Sequence, residues 1–559
     1  MFTVIKYIGH KMDHERAFRV VIPSWGVQSP QMQAETGTKF PVFISLKGQP
    51  LWVHIINLYK EVRDKTDFVI ILREDAPDID LNLVSGFDVK VVRLNQSYSI
   101  GHSILEGLSG LSQDKHVFVH MADTLIDKIY DFTADNIYVQ KRSDLYRWTS
   151  ITCNKSGMVR IKSDREAFIT EKTANVCVGL FSFAQGYQFK THLQNSFDFQ
   201  NEDMDPFFRA IETYSETNPI ALLNAEGWRD FGHVDSYYEA RLNFNNLRHF
   251  NELSYDIDSG IVTKKSENTE AYRHQVRWFS QIPDEMSYFL PKIYDSNDGA
   301  VPHISMEFLS IPTLNELFIS ERLEIGAWNN VARKVKKFMN LAQKYEFQST
   351  LAKYMAREMY VNKTQSRLNK YINADKEVAS YWVENRGVKF GILDVLEVLE
   401  DFCNKFKLLE SKQLTPIHGD LCFTNILYDV RSRQIKLIDP RGEFGVPGIY
   451  GDPKYDKAKM MHSYSGHYDF IVSDRFKFTI ENNQRIHGEL SLTNYHQQVK
   501  YIMDNILFDS SSYEDKRSVE AIEALLFLSM LPLHADKPNR QKIILFIGLS
   551  KFTKLWMEE

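Results

Sequence analysis

Apolar runs of strand length alternate with amphipathic stretches over the first quarter of the chain, and this limits the fold more than any other feature. FRVVIPSWG from Phe18, DFVIIL from Asp67, FDVKVVRL from Phe87 and HVFVHMADTLI from His116 have strand length. PLWVHIINLYKEV from Pro50 and HSILEGL from His102 carry apolar residues at helical spacing. A strand that is apolar on both faces needs cover on both faces, so the repetition predicts a parallel sheet clothed by helices. VCVGLFSF from Val176 reads as a later strand, and NAEGWRDFGHVDSYYEAR from Asn224 closes the region.

A different pattern begins near Glu252. YDIDSGIVTKKS predicts a hairpin turning at Ser259-Gly260. A helix follows from Glu270 to about Gln281, then a strand in HISMEFL from His303, then mostly helix from about Leu314 to Leu409. TPIHGDLCFTNILYD and QIKLIDP read as a loop and two short strands, and the chain is helical again from about Asn494. The pattern changes between about 243 and 255, giving domains 1–248 and 249–559, the second with a small lobe to about 313 and a helical lobe from about 314. The 559 residues allow more than one core, at roughly 100–200 residues per domain.

A formal charge of -6, from 67 basic and 73 acidic residues, excludes polybasic nucleic-acid or membrane-surface binding by composition. Cys153, Cys177, Cys403 and Cys422 stand far apart with no CxxC pair, which argues against a disulfide scaffold or cysteine-rich zinc site. No secretory leader or span-length apolar stretch is legible, so a cytoplasmic protein is expected.

The most informative string is HGDLCFTNILYD followed by IKLIDPRG, with His418, Asp420, Asn425 and Asp439. Phosphoryl transfer from ATP needs a carboxylate at the acceptor hydroxyl and oxygen ligands for Mg²⁺. Asp420 suits the first role. Asn425, on the same loop, and Asp439, after an apolar strand, suit the second. The string resembles the aminoglycoside-phosphotransferase and choline-kinase superfamily, over about residues 255–559. That resemblance implies an α+β protein-kinase-like domain with Asp420 as catalytic base and Asn425 and Asp439 as Mg²⁺ ligands. Asp452, Tyr455, Asp456 and Ala458 match a family segment that supports the catalytic loop. The family's phosphate-binding Lys falls on Lys264 or Lys265, which alternate on one strand, so one faces the cleft and the other solvent. Its usual helix Glu is replaced by Gln275, with Glu270 earlier. MEFL, with Met306 and Phe308, resembles the adenine-binding hinge. A choline-type acceptor wants an aromatic cage, for which Tyr354, Tyr360, Tyr371, Tyr381 and Trp382 are candidates.

In the first half, VVIPSWG, then TGTKFPVFISLKGQPLWVHII, resembles the opening of the sugar-phosphate nucleotidyltransferases. This implies a Rossmann-like, glycosyltransferase-A type α/β domain. Ser24 to Gly26 stand at the family's nucleotide loop, whose backbone N–H groups can hold phosphate. Gly48, Pro50 and Leu51 match a later motif. HMADTLI aligns Asp123, and WRDFGHVDSYYEAR aligns Asp230, with two carboxylates that bind Mg²⁺ in the family; Trp228, Gly232 and Tyr237 lie in or near family positions. Val27, Gln28 and Ser29 stand where the family has Arg, and Pro41-Val42 where it has Pro-Lys, so Lys39 or Lys47 is the candidate cation for the leaving pyrophosphate.

Together the resemblances imply a bifunctional protein of bacterial capsule or surface-polysaccharide biosynthesis. It would use ATP, Mg²⁺ and a nucleoside triphosphate, CTP or another. Its partners would be small molecules and nucleotides, with no nucleic acid and no membrane insertion; homo-oligomerisation is left open. Two alternatives stay open: a kinase whose first domain only binds nucleotide or sugar, and a glycosyltransferase-like domain joined to a kinase-like module.

Overall fold

The computed structural model describes residues 18–46, 48–162, 172–198, 204–245, 251–256, 259–266, 269–410 and 413–558. The chain divides into two compact units, Met1–Asn245 and Asn246–Glu559.

The first unit is built on a nine-stranded sheet. Strands β1 (Phe18–Ser24), β2 (Thr66–Arg73), β3 (Asp88–Leu94) and β4 (His116–His120) run parallel in the order β4-β1-β2-β3. Their near-continuous apolar sequences follow from cover on both faces. Val20 and Ile22 of β1 join one core with Phe68 and Ile70, while Val21 joins another with Val69 and Ile71. Helix α1 (Leu51–Asn57) caps the first core, and α2 (Ile100–Gly107) the second. The sheet is mixed rather than parallel throughout. Beyond β4 comes the antiparallel β9 (Ala174–Phe183), which also pairs with β6 (Asn136–Arg142). The chain runs β1 to β2 to β3 on one side of β1 and returns with β4 on the other. That reversal opens a crevice at the carboxyl ends of β1 and β4, where open α/β sheets bind ligands.

In the second unit, β12 (Asn251–Asp256), β13 (Ile261–Ser266), β14 (Ile293–Asn297) and β15 (His303–Glu307) form an antiparallel sheet in the order β12-β13-β15-β14. Helix α3 (Thr269–Gln281) lays Tyr272 and Val276 against Ile304 and Met306. The rest is mainly helical. It includes α4 (Lys363–Ala374), α5 (Pro453–Tyr464) and a hairpin of β16 (Ile426–Asp429) and β17 (Gln434–Leu437). A hairpin at Trp382–Asn385 and Val388–Gly391 interrupts the stretch expected to be helical. Among the described residues, no helix is long and apolar enough to cross a membrane.

Candidate active sites

Pairing of Ile426 with Leu437 closes the β16–β17 hairpin, and the Ile438 N–H donates to the Asn425 carbonyl at 3.0 Å. Asn425 and Asp439 therefore emerge side by side at its open end. Asp439 takes a left-handed backbone (φ 57), a conformation costly for a non-glycine residue and concentrated at functional sites. The Asn425 amide donates to the Asp420 carbonyl at 2.9 Å and to its carboxylate at 3.0 Å. Lys264 Nζ reaches Asp439 Oδ1 at 2.7 Å and Gln275 Oε1 at 3.3 Å. Gln275 thus flanks this direct ion pair, accepting from the lysine and donating its amide to Asp439 Oδ1 at 3.4 Å. Asp420, Asn425, Asp439, Lys264 and Gln275 all line one cavity of about 610 Å³. The oxygen donors at its floor suit a hard cation that keeps water and phosphate oxygens as further ligands.

The loop carrying Asp420 is held from below. The buried Asp456 carboxylate accepts the N–H groups of His418 at 2.7 Å and Gly419 at 2.9 Å. Burial pushes that carboxyl up to about 7. Asp452 caps α5, accepting the Lys454 N–H and the Tyr360 hydroxyl, each at 2.9 Å. Ala458 is fully buried, and Tyr455 lines the cavity. Burial holds the His418 imidazole down at about 4, so it stays neutral, with its ring edge-on to Trp278. At Asp420, burial alone would raise the carboxyl. The Lys459 ammonium, 2.7 Å away, reverses this and holds it well below the usual carboxylate range.

Several expected residues fall elsewhere. Lys264 is buried in the cleft, whereas its strand neighbour Lys265 is exposed on the opposite face. Met306 sits in a strand paired on both sides, with Val262 and Ile293, and the Phe308 N–H is taken by the Gly260 carbonyl at 2.8 Å. Neither residue is among those lining the cavity around Asp420. Tyr371 and Tyr381 are core residues, Tyr360 is spent on Asp452, Tyr354 is exposed, and Trp382 donates to the Asn483 carbonyl. No aromatic cage forms from them. The sequence reading missed Lys363, Arg367, Arg441 and Lys459, all lining the cavity. Helical spacing offered a clue: Lys459 follows Tyr455 by four residues, and Arg367 follows Lys363 by four.

In the first unit, Ser24 ends β1, and Asp123 follows β4 by three residues. Asp230 lies on β11 (Arg229–Asp230), which pairs with β5 (Thr124–Leu125). The Phe231 N–H donates to the Asp123 carbonyl at 2.8 Å. This short ribbon brings the two carboxylates together over Gly232. A Cβ built on Gly232 would lie 3.0 Å from Asp123 Oδ2 and 3.2 Å from Asp230 Oδ1. The two oxygens thus face the same point beside Gly232, and each carboxylate presents an oxygen to it. Burial, then the Asp230 charge, pushes the Asp123 carboxyl up to about 6. Asp230, 8% exposed, also accepts the Gly232 N–H at 3.1 Å and meets His233 Nδ1 at 2.8 Å, which raises the imidazole's proton affinity. The Ser24 hydroxyl is buried and lacks a hydrogen-bond partner among the described residues, as expected of a group awaiting a ligand.

Gly26 is exposed with open space around its Cα. Lys39 is exposed too; its carbonyl accepts the Gln28 N–H at 2.9 Å, fixing the loop after β1. A cation that sequence reasoning missed, Arg73, ends β2 with its guanidinium 5.8 Å from the Trp25 ring and bound to Asp75 at 2.7 and 3.0 Å. Gly48 (φ 76) makes the turn before Pro50 and Leu51, where α1 begins; Lys47 lies outside the described residues. Trp228 packs edge-on to Trp148, and Tyr237 is buried in the core. Among the described residues, no three His, Cys, Asp or Glu side chains are grouped to hold a metal ion. A two-carboxylate site is what Mg²⁺ uses when substrate phosphates supply the remaining oxygens.

No protein-family model and no curated protein matches the chain. Among solved structures it is similar to a nucleoside-diphosphate-sugar pyrophosphorylase from Vibrio cholerae RC9, at 16% identity and TM-score 0.33, covering 40% of this chain and 99% of that one. It is similar to the inositol-1-phosphate CTP transferase from T. maritima, at 15% and 0.32, covering 42% and 99%. It is also similar to the CTP:phosphocholine cytidylyltransferase from Streptococcus pneumoniae, at 14% and 0.32, covering 41% and 99%.

Proposed function

We propose that the second unit transfers the γ-phosphoryl group of ATP to a hydroxyl of a small metabolite, and that the first transfers a nucleotidyl group to a phosphorylated metabolite. The product would be an activated precursor of the kind used in bacterial capsule or surface polysaccharide. The observation that carries this reading is the convergence of Asp420, Asn425, Asp439 and Lys264 on one cavity.

Asp420 accepts the hydrogen bond of the acceptor hydroxyl and aims its oxygen at the γ-phosphorus. The new oxygen–phosphorus bond forms as the bond to the β,γ-bridging oxygen breaks. ADP leaves with that electron pair, and the hydroxyl proton passes to Asp420 and then to solvent. Held at low proton affinity by Lys459, Asp420 serves chiefly to orient, which a loose phosphoryl-transfer transition state permits. Asn425 and Asp439 would hold Mg²⁺, which when bound neutralises charge on the phosphates. Lys264 approaches the same phosphates from β13.

In the first unit, Asp123 and Asp230 would hold Mg²⁺ beside the triphosphate, and Ser24 would contact it at the end of β1. A phosphate oxygen of the acceptor bonds to the α-phosphorus as the bond to the α,β-bridging oxygen breaks, releasing pyrophosphate. Arg73 and Lys39 are the cations beside the loop available to that leaving group.

A screen of hydroxyl metabolites with Mg²⁺ and ATP, scored for ADP and phosphorylated product, tests the kinase half. Pyrophosphate release from each of four nucleoside triphosphates, with the phosphorylated products as acceptors, tests the other. ADP formation that requires an acceptor is expected. Absence of both Mg²⁺–ATP binding and turnover overturns the kinase reading, and nucleotide binding without pyrophosphate release reduces the first unit to a binding domain.

A further inference from the structure

The cavity beside Asp420 is lined by five basic side chains, two of them without a carboxylate of their own among the described residues. Besides Lys264 it is lined by Lys363 and Arg367 on α4, Arg441 just past Asp439, and Lys459 on α5. Lys264 is matched by Asp439, Lys459 by Asp420, and Arg441 by Glu443 at 2.8 Å. Lys363 and Arg367 have no carboxylate at ion-pair distance among the described residues. Arg367 donates to the Ser529 carbonyl at 2.9 Å. Tyr455 gathers the group: Lys363 Nζ lies 5.9 Å from its ring centre, and Arg441 Nη1 is 3.4 Å from its hydroxyl.

This arrangement opposes ordinary stability. Burial, then the charges of Arg441, Arg367 and Lys459, drives the Lys363 ammonium well below its usual range. A lysine and an arginine without carboxylates of their own, set among further cations, persist where function retains them. Two local features support that view. A π-helical turn at Glu358–Asn362 immediately precedes Lys363; such turns shift helix register and recur at functional sites. His462 is fully buried, lines the same cavity, and has neither ring nitrogen hydrogen-bonded among the described residues.

We infer that the phosphoryl acceptor is itself an anion, a hydroxyl-bearing metabolite with a phosphate or carboxylate held by Lys363 and Arg367 while its hydroxyl meets Asp420. The inference rests on reading this unit as a kinase. Both anions suit the planar fork of Arg367, and either would compensate the charges that a neutral sugar or a choline-type cation would leave exposed to one another.

Thermal shift of the full-length protein saturated with Mg²⁺–ADP tests it, using glycerol 3-phosphate, glycerate, glycerol and choline as probes. At least one anionic probe should raise Tm where glycerol and choline do not. A shift with glycerol 3-phosphate alone assigns a phosphate, and one with glycerate alone a carboxylate. Lys363→Met and Arg367→Met should each abolish the shift; having two variants guards against misfolding in either. In turnover, each should raise the acceptor KM more than tenfold while the ATP KM moves less than threefold. Absence of a shift with both anions, or phosphoryl transfer to a neutral or cationic acceptor at unchanged KM in the variants, overturns the inference and leaves the kinase reading standing. Absence of any shift with Mg²⁺–ADP itself removes the kinase reading and the inference with it.

Discussion

Lys459 lies 2.7 Å from Asp420, so the carboxylate proposed to orient the acceptor is ion-paired before any substrate arrives. Burial alone would raise the Asp420 carboxyl, and the ammonium holds it down. Replacing Lys459 with Met removes that cation, so the Asp420 pKa should rise and the acid limb of the pH–rate profile should move to higher pH. Turnover should also fall, by roughly 10–10³-fold if the ammonium steadies charge in the transition state. A profile whose acid limb stays in place would separate Asp420 from the chemistry.

Asp439 and Lys264 form the other pair, at 2.7 Å. Asp439→Asn keeps the shape and removes the charge that would face Mg²⁺. Calorimetry should find weaker Mg²⁺–ATP binding, by tenfold or more. Unchanged affinity would show that Asp439 is not the ligand.

Gly232→Ala probes the first unit with one added carbon. The new Cβ would press on Asp123 Oδ2 at 3.0 Å and Asp230 Oδ1 at 3.2 Å, closer than ordinary van der Waals contact, and would wedge between the two carboxylates. Mn²⁺ affinity attributable to this unit should drop, with circular dichroism unchanged. Retention of full affinity would mean that the cation does not sit between these residues.

Proton competition at Asp123 supplies a pH test. Its carboxyl is pushed up to about 6 by burial and by Asp230, and a cation binds the ionised form. Below about pH 6, metal affinity at this site should therefore fall as pH falls, by up to about tenfold per unit, and it should flatten above. Subtracting titrations of Asp123→Asn isolates the site. The folded-state proton affinity exceeds the unfolded one, so without metal this group's contribution to stability is lost as pH rises from about 4 to 6.

Local motifs were legible because one short hairpin assembles them. Asn425 and Asp439 flank β16 and β17, and hydrophobic patterning alone fixes that register. The parallel strands were legible because burial on both faces leaves continuous apolar runs, whereas β6, NIYVQKR, carries polar residues and its antiparallel place on β9 was not foreseen. The choice between Lys264 and Lys265 required knowing which face of β13 meets the cleft. Lys363 and Arg367 read in sequence as the solvated face of an amphipathic helix, and only packing turns them inward. A strand sequence also does not say which backbone groups its neighbours already use, as the Gly260 carbonyl does the Phe308 N–H.

The most direct measurement follows transfer of label from [γ-³²P]ATP to a metabolite in three proteins: wild type, Asp420→Ala, and the double variant Asp123→Ala, Asp230→Ala. The account predicts transfer in the wild type and the double variant, and loss of about 10²–10⁴-fold in Asp420→Ala, with all three equally folded. Near-wild-type transfer in Asp420→Ala, or its loss in the double variant, would contradict it.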